Sequence, residues 1–401
     1  MSSNPSGAKP PVKDWATDFD HTDPVWNKDP FPIWADLRKR CPVAHSERFE
    51  DGAFFPSRFA DVREIAYDTE HFSSRRVIVR EKKFNPVMPA PPITSDPPEH
   101  RPARMPLLPA FNPKAIEKLA PGTRALCSRL IDSFIAKGAC DAATDYAQHI
   151  PTRVIANMLG MDEEDGDRYR RWIKMALEEG IHDNAKTMQS LKEMTAYFGE
   201  ELAKRGDKPG DDLISYMRDQ RVNGQPLSPE KVIGTLRLLL IAGIDTTWSA
   251  IGASLWHLAQ HPKDVARLVA EPALMDTAVE ELLRAYAPVT MAREVKKDMT
   301  IGGCPMKAGA MVLLSFPAAN RDPEVFPDAD KVLLDRQENR HAAFGLGIHR
   351  CVGSNLARME LRVAIEEWLK RIPKFRLEDP AGVTWSEGTV RGPRTLRVVW
   401  A

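Results

Sequence analysis

The chain has 401 residues, of which 43% are hydrophobic and 28% are charged. This composition is typical of a globular protein, and the length suffices for one large core or two domains. Lysine plus arginine and aspartate plus glutamate both total 56, so the formal net charge is zero. The neutral balance gives no reason to expect non-specific attraction to nucleic acid or to an anionic membrane.

The first 22 residues are polar and rich in proline, lysine and aspartate. They lack the apolar core of a signal peptide, so we expect a flexible segment over residues 1–22, one domain over residues 23–401, and no export. The five cysteines are scattered and none has zinc-ligand spacing, which favours a reducing cytoplasm and leaves a thiol available as a metal ligand. They are Cys41, Cys127, Cys140, Cys304 and Cys351.

Along the chain, the first hundred residues are rich in proline and contain short strand-like pieces such as residues 52–55. Residues 115–137 and 186–204 show apolar positions at helical spacing. A longer helix is predicted to begin after a Ser228 cap, with Pro229 in its first turn, and to end before Pro262. At 1.5 Å per residue it would span about 50 Å and cross the whole molecule.

The most apolar part of that helix, residues 238–255, raises the alternative of a membrane span. Asp245 and the neighbouring hydroxyl side chains argue against it, since a central Asp costs roughly 2.5–3.5 kcal/mol on insertion scales. We therefore interpret the segment as a helix buried inside a protein.

Later elements are shorter. A helix is predicted over residues 276–286 with Asp276 as its cap, and strands over residues 300–301, 311–314 and 395–400. A last helix opens just after Cys351 and runs to about residue 370. The sequence therefore indicates one mainly α-helical domain with small β-sheets.

Residues 344–353 read F-G-L-G-I-H-R-C-V-G and place Cys351 in a glycine-rich loop at the start of that helix. The helix N-terminus and Arg350 favour a thiolate, and the glycines let the backbone fold tightly against a flat ligand. A packed cysteine beside a glycine turn is the plainer interpretation of Cys351 and Gly353 alone.

The full pattern F-G-x-G-x-H-x-C-x-G resembles the haem-binding signature of the cytochrome P450 family in its soluble bacterial form. The resemblance implies the cytochrome P450 fold around a buried haem b, with Cys351 as the iron ligand, Phe344 beside the sulfur, Gly345 and Gly353 as close-approach glycines, and His349 as a donor to a haem propionate. It also implies a contact from Ala357 to the macrocycle. Cysteine suits this chemistry because a thiolate ligand favours O–O cleavage.

Ala242, Gly243, Asp245 and Thr246 lie midway along the long helix. The small residues would let a planar group approach the backbone, whereas a buried Asp and Thr are costly without partners. A buried polar pair capped by loops remains an alternative from the residues alone. The resemblance makes Asp245 and Thr246 the catalytic acid–alcohol pair, with Thr246 as a hydrogen-bond donor to bound oxygen and Asp245 as a proton relay.

Glu281 and Arg284 stand one helical turn apart, which by itself means little. The resemblance makes them a buried structural pair joined by Arg336, although Ala329, Val332 and Leu333 depart from the family's local pattern. Haem propionates need cationic donors. The residues at the matching positions are His100, Arg104, Arg293 and His349.

The resemblance also outlines an apolar substrate pocket. Its expected lining is Leu238, Ile241, Ala242, Val289, Thr290, Met291 and Val390. The loop over residues 77–93 carries Arg80, Lys82, Lys83 and Phe84. A basic residue of this loop could meet a substrate carboxylate, but a solvated face is the favoured interpretation of these charges.

No part of the sequence is left over for a flavin or iron–sulfur domain, so we expect a separate ferredoxin fed by an NAD(P)H reductase. Arg101, Arg104, Arg350 and Arg358 could form a basic docking patch for it. The leading hypothesis is a monooxygenase acting on an apolar molecule. A peroxide-driven haem enzyme and a non-catalytic haem-binding or sensing protein are the alternatives, and the substrate, reaction subtype and oligomeric state are left open.

Overall fold

A computed structural model describes residues 10–83, 87–208 and 210–400. The helices in these ranges are α1 (Pro24–Lys28), α2 (Phe31–Arg40), α3 (Phe59–Tyr67), α4 (His100–Arg104), α5 (Pro113–Glu117), α6 (Ala120–Phe134), α7 (His149–Leu159), α8 (Gly166–Lys174), α9 (Gly180–His182), α10 (Asn184–Arg205), α11 (Leu213–Arg218), α12 (Pro229–Gln260), α13 (Pro262–Ala270), α14 (Met275–Ala285), α15 (Phe316–Ala319) and α16 (Ser354–Arg371).

The described strands are all short, and none exceeds the six residues of β7. They are β1 (Val43–Ser46), β2 (Ala53–Pro56), β3 (Phe72–Ser73), β4 (Ala139–Asp141), β5 (Arg221–Val222), β6 (Gln225–Pro226), β7 (Thr290–Val295), β8 (Met299–Ile301), β9 (Cys304–Met306), β10 (Met311–Ser315), β11 (Arg376–Leu377), β12 (Thr384–Trp385), β13 (Pro393–Thr395) and β14 (Arg397–Val399). The architecture is mainly helical with small sheets, as expected.

Helix α12 runs through the core. Its N-terminus is capped as the sequence predicts, because the Ser228 side chain accepts a hydrogen bond from the Lys231 N–H and Pro229 occupies the first position. Among the described helices α12 is the one long and apolar enough to span a membrane, and 67% of its most apolar window is buried inside the protein. It packs against α7, α10 and α16, which accounts for its apolar composition.

A five-stranded sheet in the order β1-β2-β10-β7-β3 forms the second structural unit. In its centre β7 and β10 are antiparallel, with Arg293 opposite Val312 and Met291 opposite Leu314. Alternate side chains on a strand face opposite sides. Val312 and Leu314 accordingly belong to one apolar cluster and Ala292 to another, so the sheet separates two parts of the core.

The N-terminal part of the chain is packed from before residue 23. Phe19 is fully buried among aromatic side chains, and the Asp18 carboxylate pairs with the Arg48 guanidinium at 2.6 Å. The expectation of a flexible segment over residues 1–22 is therefore wrong for residues 14–21, because Phe19 contributes to the core. Residues 1–9 lie outside the described residues.

Some predicted boundaries also shift. Helix α14 begins at Met275, so Asp276 lies inside the first turn and does not cap it. The apolar pattern of residues 115–137 is divided between α5, α6 and a short turn, since Lys118 and Leu119 separate the two helices. The last predicted strand, residues 395–400, is observed as the two short strands β13 and β14.

Glu281 and Arg284 are fully buried and form the centre of a charged cluster behind α14. Arg284 donates to both carboxylate oxygens of Glu281 at 2.8 Å, and Arg336 Nε donates to the same carboxylate at 3.0 Å. The Leu333 N–H donates to it as well, at 2.9 Å. Arg284 also donates to the carbonyl of Ala329. Residues 329–333, which depart from the family's local pattern, therefore contribute backbone groups to the charged cluster. Their side chains are not needed for it, so the departures are compatible with the cluster.

Replacing Glu281 with Gln should destabilise the protein by about 3–5 kcal/mol, because Arg284 and Arg336 would remain buried without a counter-charge. Urea unfolding of the purified protein, followed by circular dichroism, measures the change. Asp298→Asn is the control, since it removes an exposed ion pair with Lys307 and should leave the midpoint unchanged. A Glu281→Gln midpoint equal to that of the control would contradict this account.

Candidate active site

Cys351 is held in a tight loop by backbone hydrogen bonds. The Cys351 N–H donates to the carbonyl of Phe344 at 2.7 Å, and the Gly345 N–H donates to the carbonyl of Ala342 at 2.8 Å. At Gly347 φ is +67°, and an added Cβ would lie 2.2 Å from the carbonyl oxygen of Ala66. Glycine at this position therefore allows the loop to dock on α3.

The Cys351 side chain retains exposed surface although protein surrounds it closely, so its thiol faces a gap within the molecule. Burial raises the pKa of the thiol. The Gly353 N–H and the guanidinium groups of Arg104, Arg350 and Arg358 act in the opposite direction. This surrounding positive charge stabilises a thiolate at Cys351.

One stripe of α12 also retains open surface. Ala242 is exposed, and Leu238, Ile241 and Thr246 are half-buried, whereas Ile244 is fully buried. Residues three and four apart lie on the same helical face, so these side chains form one row. Helix α12 packs directly on α16, the helix that follows the Cys351 loop, so the row and the thiol belong to neighbouring parts of the fold.

Gly243 lies outside this row. A Cβ at Gly243 would lie 3.0 Å from Cγ1 of Ile155 on α7. The expectation that Gly243 makes room for a planar ligand is therefore wrong, since its missing side chain lets α12 approach α7. Ala242 is exposed on the open row of α12, and its contact with a planar ligand stays a prediction.

Four basic side chains meet beside the Cys351 loop. The rings of His100 and His349 lie 4.5 Å apart, and Arg293 is buried on β7. Burial, followed by the charges of Arg293, His100 and Arg104, lowers the pKa of His349 to about 3. In the described part of the chain, none of the four forms an ion pair with a carboxylate.

Two further contacts show that this cluster is suited to an anion. His100 Nε2 is buried and has no hydrogen-bond partner among the described residues, and His349 Nε2 lies 2.8 Å from the Ser74 hydroxyl. The nearest acid, Asp96, accepts hydrogen bonds from Ser73 and from the Ser74 N–H. A buried polar nitrogen without a partner is costly, so a bound carboxylate would stabilise the cluster.

On α12, the Thr246 hydroxyl donates to the carbonyl of Ala242 at 2.8 Å. Asp245 is buried, and its Oδ1 accepts a hydrogen bond of 2.6 Å from Arg394. Arg394 also donates to Glu178 at 2.6 Å, and its guanidinium lies over the Trp248 ring. Asp245 Oδ2 is buried and has no partner among the described residues. Asp245 is thus the inner end of a chain of charged side chains whose outer end, Glu178, is partly exposed.

Burial raises the pKa of Asp245 to about 6, although the charge of Arg394 acts to lower it. A carboxyl group with this pKa can both release and accept a proton near neutral pH. Sequence reasoning identified Asp245 but missed Arg394 and Glu178. The available signal was indirect: a buried acid in an apolar helix requires a partner, and Arg394 lies 149 positions away in the chain.

The predicted pocket residues are only partly brought together. Val289 pairs with Val390 in a β-bridge, which holds the C-terminal turn against the start of β7. Strand alternation puts Met291 on the same side as Arg293 and puts Thr290 on the other side. Thr290 is therefore not placed with the pocket, and its N–H donates to the carbonyl of Thr389 instead.

The basic loop is not uniformly solvated. Arg80 is buried and donates to the carbonyl of Gly180 and to the Thr187 hydroxyl, so it attaches the loop to α9 and α10. Lys83 pairs with Asp51, and Lys82 is exposed. The solvated-face interpretation is therefore wrong for Arg80, and Phe84 lies outside the described residues.

The surface around the Cys351 loop is basic with apolar side chains beside it. Arg101 and Arg350 are exposed, and neither forms an ion pair within the described ranges. Arg104 donates to the Arg350 carbonyl. Met105 is 50% exposed on the turn that follows α4. Arg358 differs from the other arginines because Glu280 binds it through both carboxylate oxygens.

Comparison with known proteins shows which family this chain belongs to. The Cytochrome P450 family model matches residues 166–386. The mycinamicin IV hydroxylase/epoxidase of Micromonospora griseorubida is 34% identical, over 92% of this chain and 94% of its own length. The chain belongs to the cytochrome P450 family.

Two further relatives of this family agree. The vitamin D(3) 25-hydroxylase of Pseudonocardia autotrophica is 32% identical over 87% of this chain and 88% of its own length. The structure of the cytochrome P450 PksS of the Bacillus subtilis 168 bacillaene polyketide synthase superposes with a TM-score of 0.87 at 30% identity, covering 95% of this chain and 99% of that one. These findings confirm the cytochrome P450 fold and a haem-thiolate monooxygenase that binds haem b.

The donor set fits haem b. The Cys351 thiol retains exposed surface, and basic groups surround it. The unpartnered His100 Nε2 and the neighbouring basic groups suit carboxylates, which haem propionates supply. The residues present are therefore compatible with the cofactor.

The raised pKa of Asp245 predicts a specific pH dependence of stability. The folded protein holds the Asp245 proton more tightly than the unfolded chain does. The stability that this protonated carboxyl group contributes is therefore fully present below pH 4 and is lost as the pH rises through about 6. The free energy of unfolding of the wild type should therefore fall by about 3 kcal/mol relative to Asp245→Asn across this window. Urea unfolding of both proteins between pH 4 and 7 measures it, and parallel curves would contradict the prediction.

Proposed function

We propose that the protein inserts one oxygen atom of O2 into an apolar small organic molecule, using electrons from a separate acidic ferredoxin supplied by an NAD(P)H reductase in the cytoplasm. The observation that carries the proposal is the occurrence of two chemical groups on neighbouring elements that pack together. The Cys351 thiol lies among basic groups at the start of α16, and Thr246 and the buried Asp245 lie on α12, which packs against α16.

Haem b, when bound, supplies the iron chemistry that activates dioxygen. Cys351 is the proposed iron ligand, and the Gly353 N–H together with Arg104 and Arg350 stabilises its negative charge. His100, Arg104, Arg293 and His349 are proposed to bind the propionates. Phe344, Gly345, Gly353 and Ala357 are proposed to contact the macrocycle from the cysteine side, and Ala242 from α12.

Thr246 is proposed to donate a hydrogen bond into the gap. In the structure its hydroxyl proton is directed to the Ala242 carbonyl, so rotation of the hydroxyl would redirect it towards the cavity. Asp245 is proposed to deliver protons through Oδ2, the atom that Arg394 leaves unbound. Glu178 binds the other side of Arg394 and is partly exposed, so this ion-pair chain reaches from Asp245 to the surface. Arg394 itself stays protonated and orients the carboxyl group.

The pocket supports an apolar substrate. Leu238 and Ile241 present half-buried aliphatic side chains on the open row of α12, and Val390 faces Val289 across the C-terminal turn. Met291 adds a flexible side chain that can adapt to irregular ligands. Such a lining binds the apolar body of a ligand and leaves its orientation to a small number of polar contacts.

The surface beside Cys351 supports an acidic partner. Arg101 and Arg350 contribute positive charge, while Met105 and Leu108 present exposed apolar area close to them. Opposite charges accelerate encounter, and apolar contacts hold the complex. Arg358 is withdrawn from this surface by Glu280, so the proposed docking patch consists of Arg101, Arg104 and Arg350.

Thr246→Ala should retain haem and substrate binding but divert NAD(P)H consumption from product to hydrogen peroxide, because no hydroxyl would donate into the gap. Product and peroxide are quantified per NAD(P)H with reconstituted ferredoxin and a compound selected by spectral titration. Thr235→Ala is the matched control, since Thr235 makes the same bond to a carbonyl of α12 away from the gap. Unchanged coupling in Thr246→Ala would remove Thr246 from the mechanism.

Cys351→His tests whether Cys351 is the iron ligand, independently of the role of Thr246. This variant should lose the red-shifted Soret band of the reduced, CO-bound protein and all oxygenation. Retention of that band would show that another residue binds the iron.

Charge reversal in the docking patch should slow electron transfer. Arg101→Glu is expected to raise the KM for ferredoxin about tenfold at low salt, with the difference shrinking as ionic strength rises, since screening weakens surface attraction. Lys137→Glu, an exposed change in the turn after α6, serves as the control. A KM that is equal in both variants and indifferent to salt would contradict this docking surface.

A further inference from the structure

Arg358 occupies a defined position between α14 and the Cys351 loop. Its Nε and one terminal nitrogen donate to the two carboxylate oxygens of Glu280, at 2.6 and 2.8 Å. The same guanidinium lies over the ring of Phe344, 4.3 Å from the ring centroid. Arg358 is therefore fixed by an ion pair on one side and by a cation–π contact on the other.

Glu280 remains ionised in this position because its neighbours lower its pKa. Burial acts to raise its pKa, but hydrogen bonds from Arg358 and His341 outweigh burial and lower the pKa to about 2. The His341 Nε2 lies 3.2 Å from the Glu280 carboxylate. The adjacent acid, Glu281, binds Arg284 and Arg336 instead, so the two consecutive carboxylates of α14 have separate partners.

Phe344 connects this pair to the cysteine. Its carbonyl accepts the Cys351 N–H, and its ring separates that loop from the Arg358 guanidinium. Arg358 is also one of the three arginines whose charge favours the Cys351 thiolate. A change in the net charge at Arg358 therefore alters the electrostatic potential at the Cys351 sulfur. The backbone of the loop does not depend on Arg358, because other hydrogen bonds hold it.

We propose that Glu280 is a positioning residue that holds Arg358 on the Phe344 ring and neutralises its charge, and thereby keeps the reduction potential of the bound haem low. The proposal rests on Cys351 being the iron ligand. One-electron reduction adds negative charge to the haem–thiolate unit, and an unpaired guanidinium nearby would stabilise that charge. Glu280 opposes this stabilisation. Both side chains are about 30% exposed, so solvent screens part of the effect.

The test is a charge-compensation cycle on the haem-containing protein, with midpoint potentials measured by redox titration. Glu280→Gln should favour reduction about threefold, which corresponds to roughly 30 mV upward for one electron. Arg358→Gln should lower the potential by a similar amount because Glu280 is left unpaired. The double variant restores neutrality and should return close to the wild-type potential.

If the Glu280–Arg358 ion pair only holds α14 and α16 together and has no electrostatic role, the midpoint potentials of the variants show a different pattern. The two single variants would then shift the potential in the same direction or leave it unchanged, and the double variant would not restore it; either result overturns the proposal. Asp276→Asn is the matched control, since Asp276 pairs with Arg362 between the same two helices, one turn further from the loop. Its potential should equal that of the wild type.

Two readouts keep this proposal separate from the proposed function. A wild-type reduced, CO-bound protein without the red-shifted Soret band would reject Cys351 as the ligand. Variants that retain the band at an unshifted potential would reject only the role of Glu280. If Glu280→Gln fails to retain haem, Arg358→Gln is read against the wild type and Asp276→Asn; a lowered potential supports the proposal and an unchanged or raised potential overturns it.

Discussion

The stabilisation of negative charge inside an apolar interior is the constraint on which this structure depends. A thiolate and two carboxylates must be held where water cannot solvate them. The protein supplies positive charge from distant parts of the chain: Arg104 from α4, Arg293 from β7, and Arg350 from the cysteine loop. The sheet and the helices around α12 are needed to bring these groups to one place.

The same constraint appears on α12, where the buried negative charge belongs to the protein itself. Asp245 is itself a buried anion, and Arg394 meets it from the strand next to the C-terminal turn. The bond stabilises only one oxygen of the carboxylate, and burial keeps the pKa near 6. An acid that was fully compensated would remain ionised and could not release a proton, so incomplete compensation is what makes Asp245 useful.

Local structure formed by residues that are close together in the sequence could be predicted. The Cys351 loop, the start of α12 and the Glu281–Arg284 pair are local patterns with a direct physical meaning, and the structure shows each at the expected place. Contacts between distant segments were not predictable. Nothing in the sequence around Arg394, Glu178 or Glu280 indicates its partner, because the partner is determined by how α12, α14 and the C-terminal strands pack. Gly243 was assigned to the wrong neighbour for the same reason.

Arg394 has a further consequence because of where its second partner lies. Glu178 belongs to the segment between α8 and α9, which packs over α10 and not in the rigid centre of α12. The charge of Glu178 raises the pKa of Asp245, whereas Arg394 lowers it. The acidity of a residue in the centre of α12 is therefore set in part by a segment that lies outside that helix.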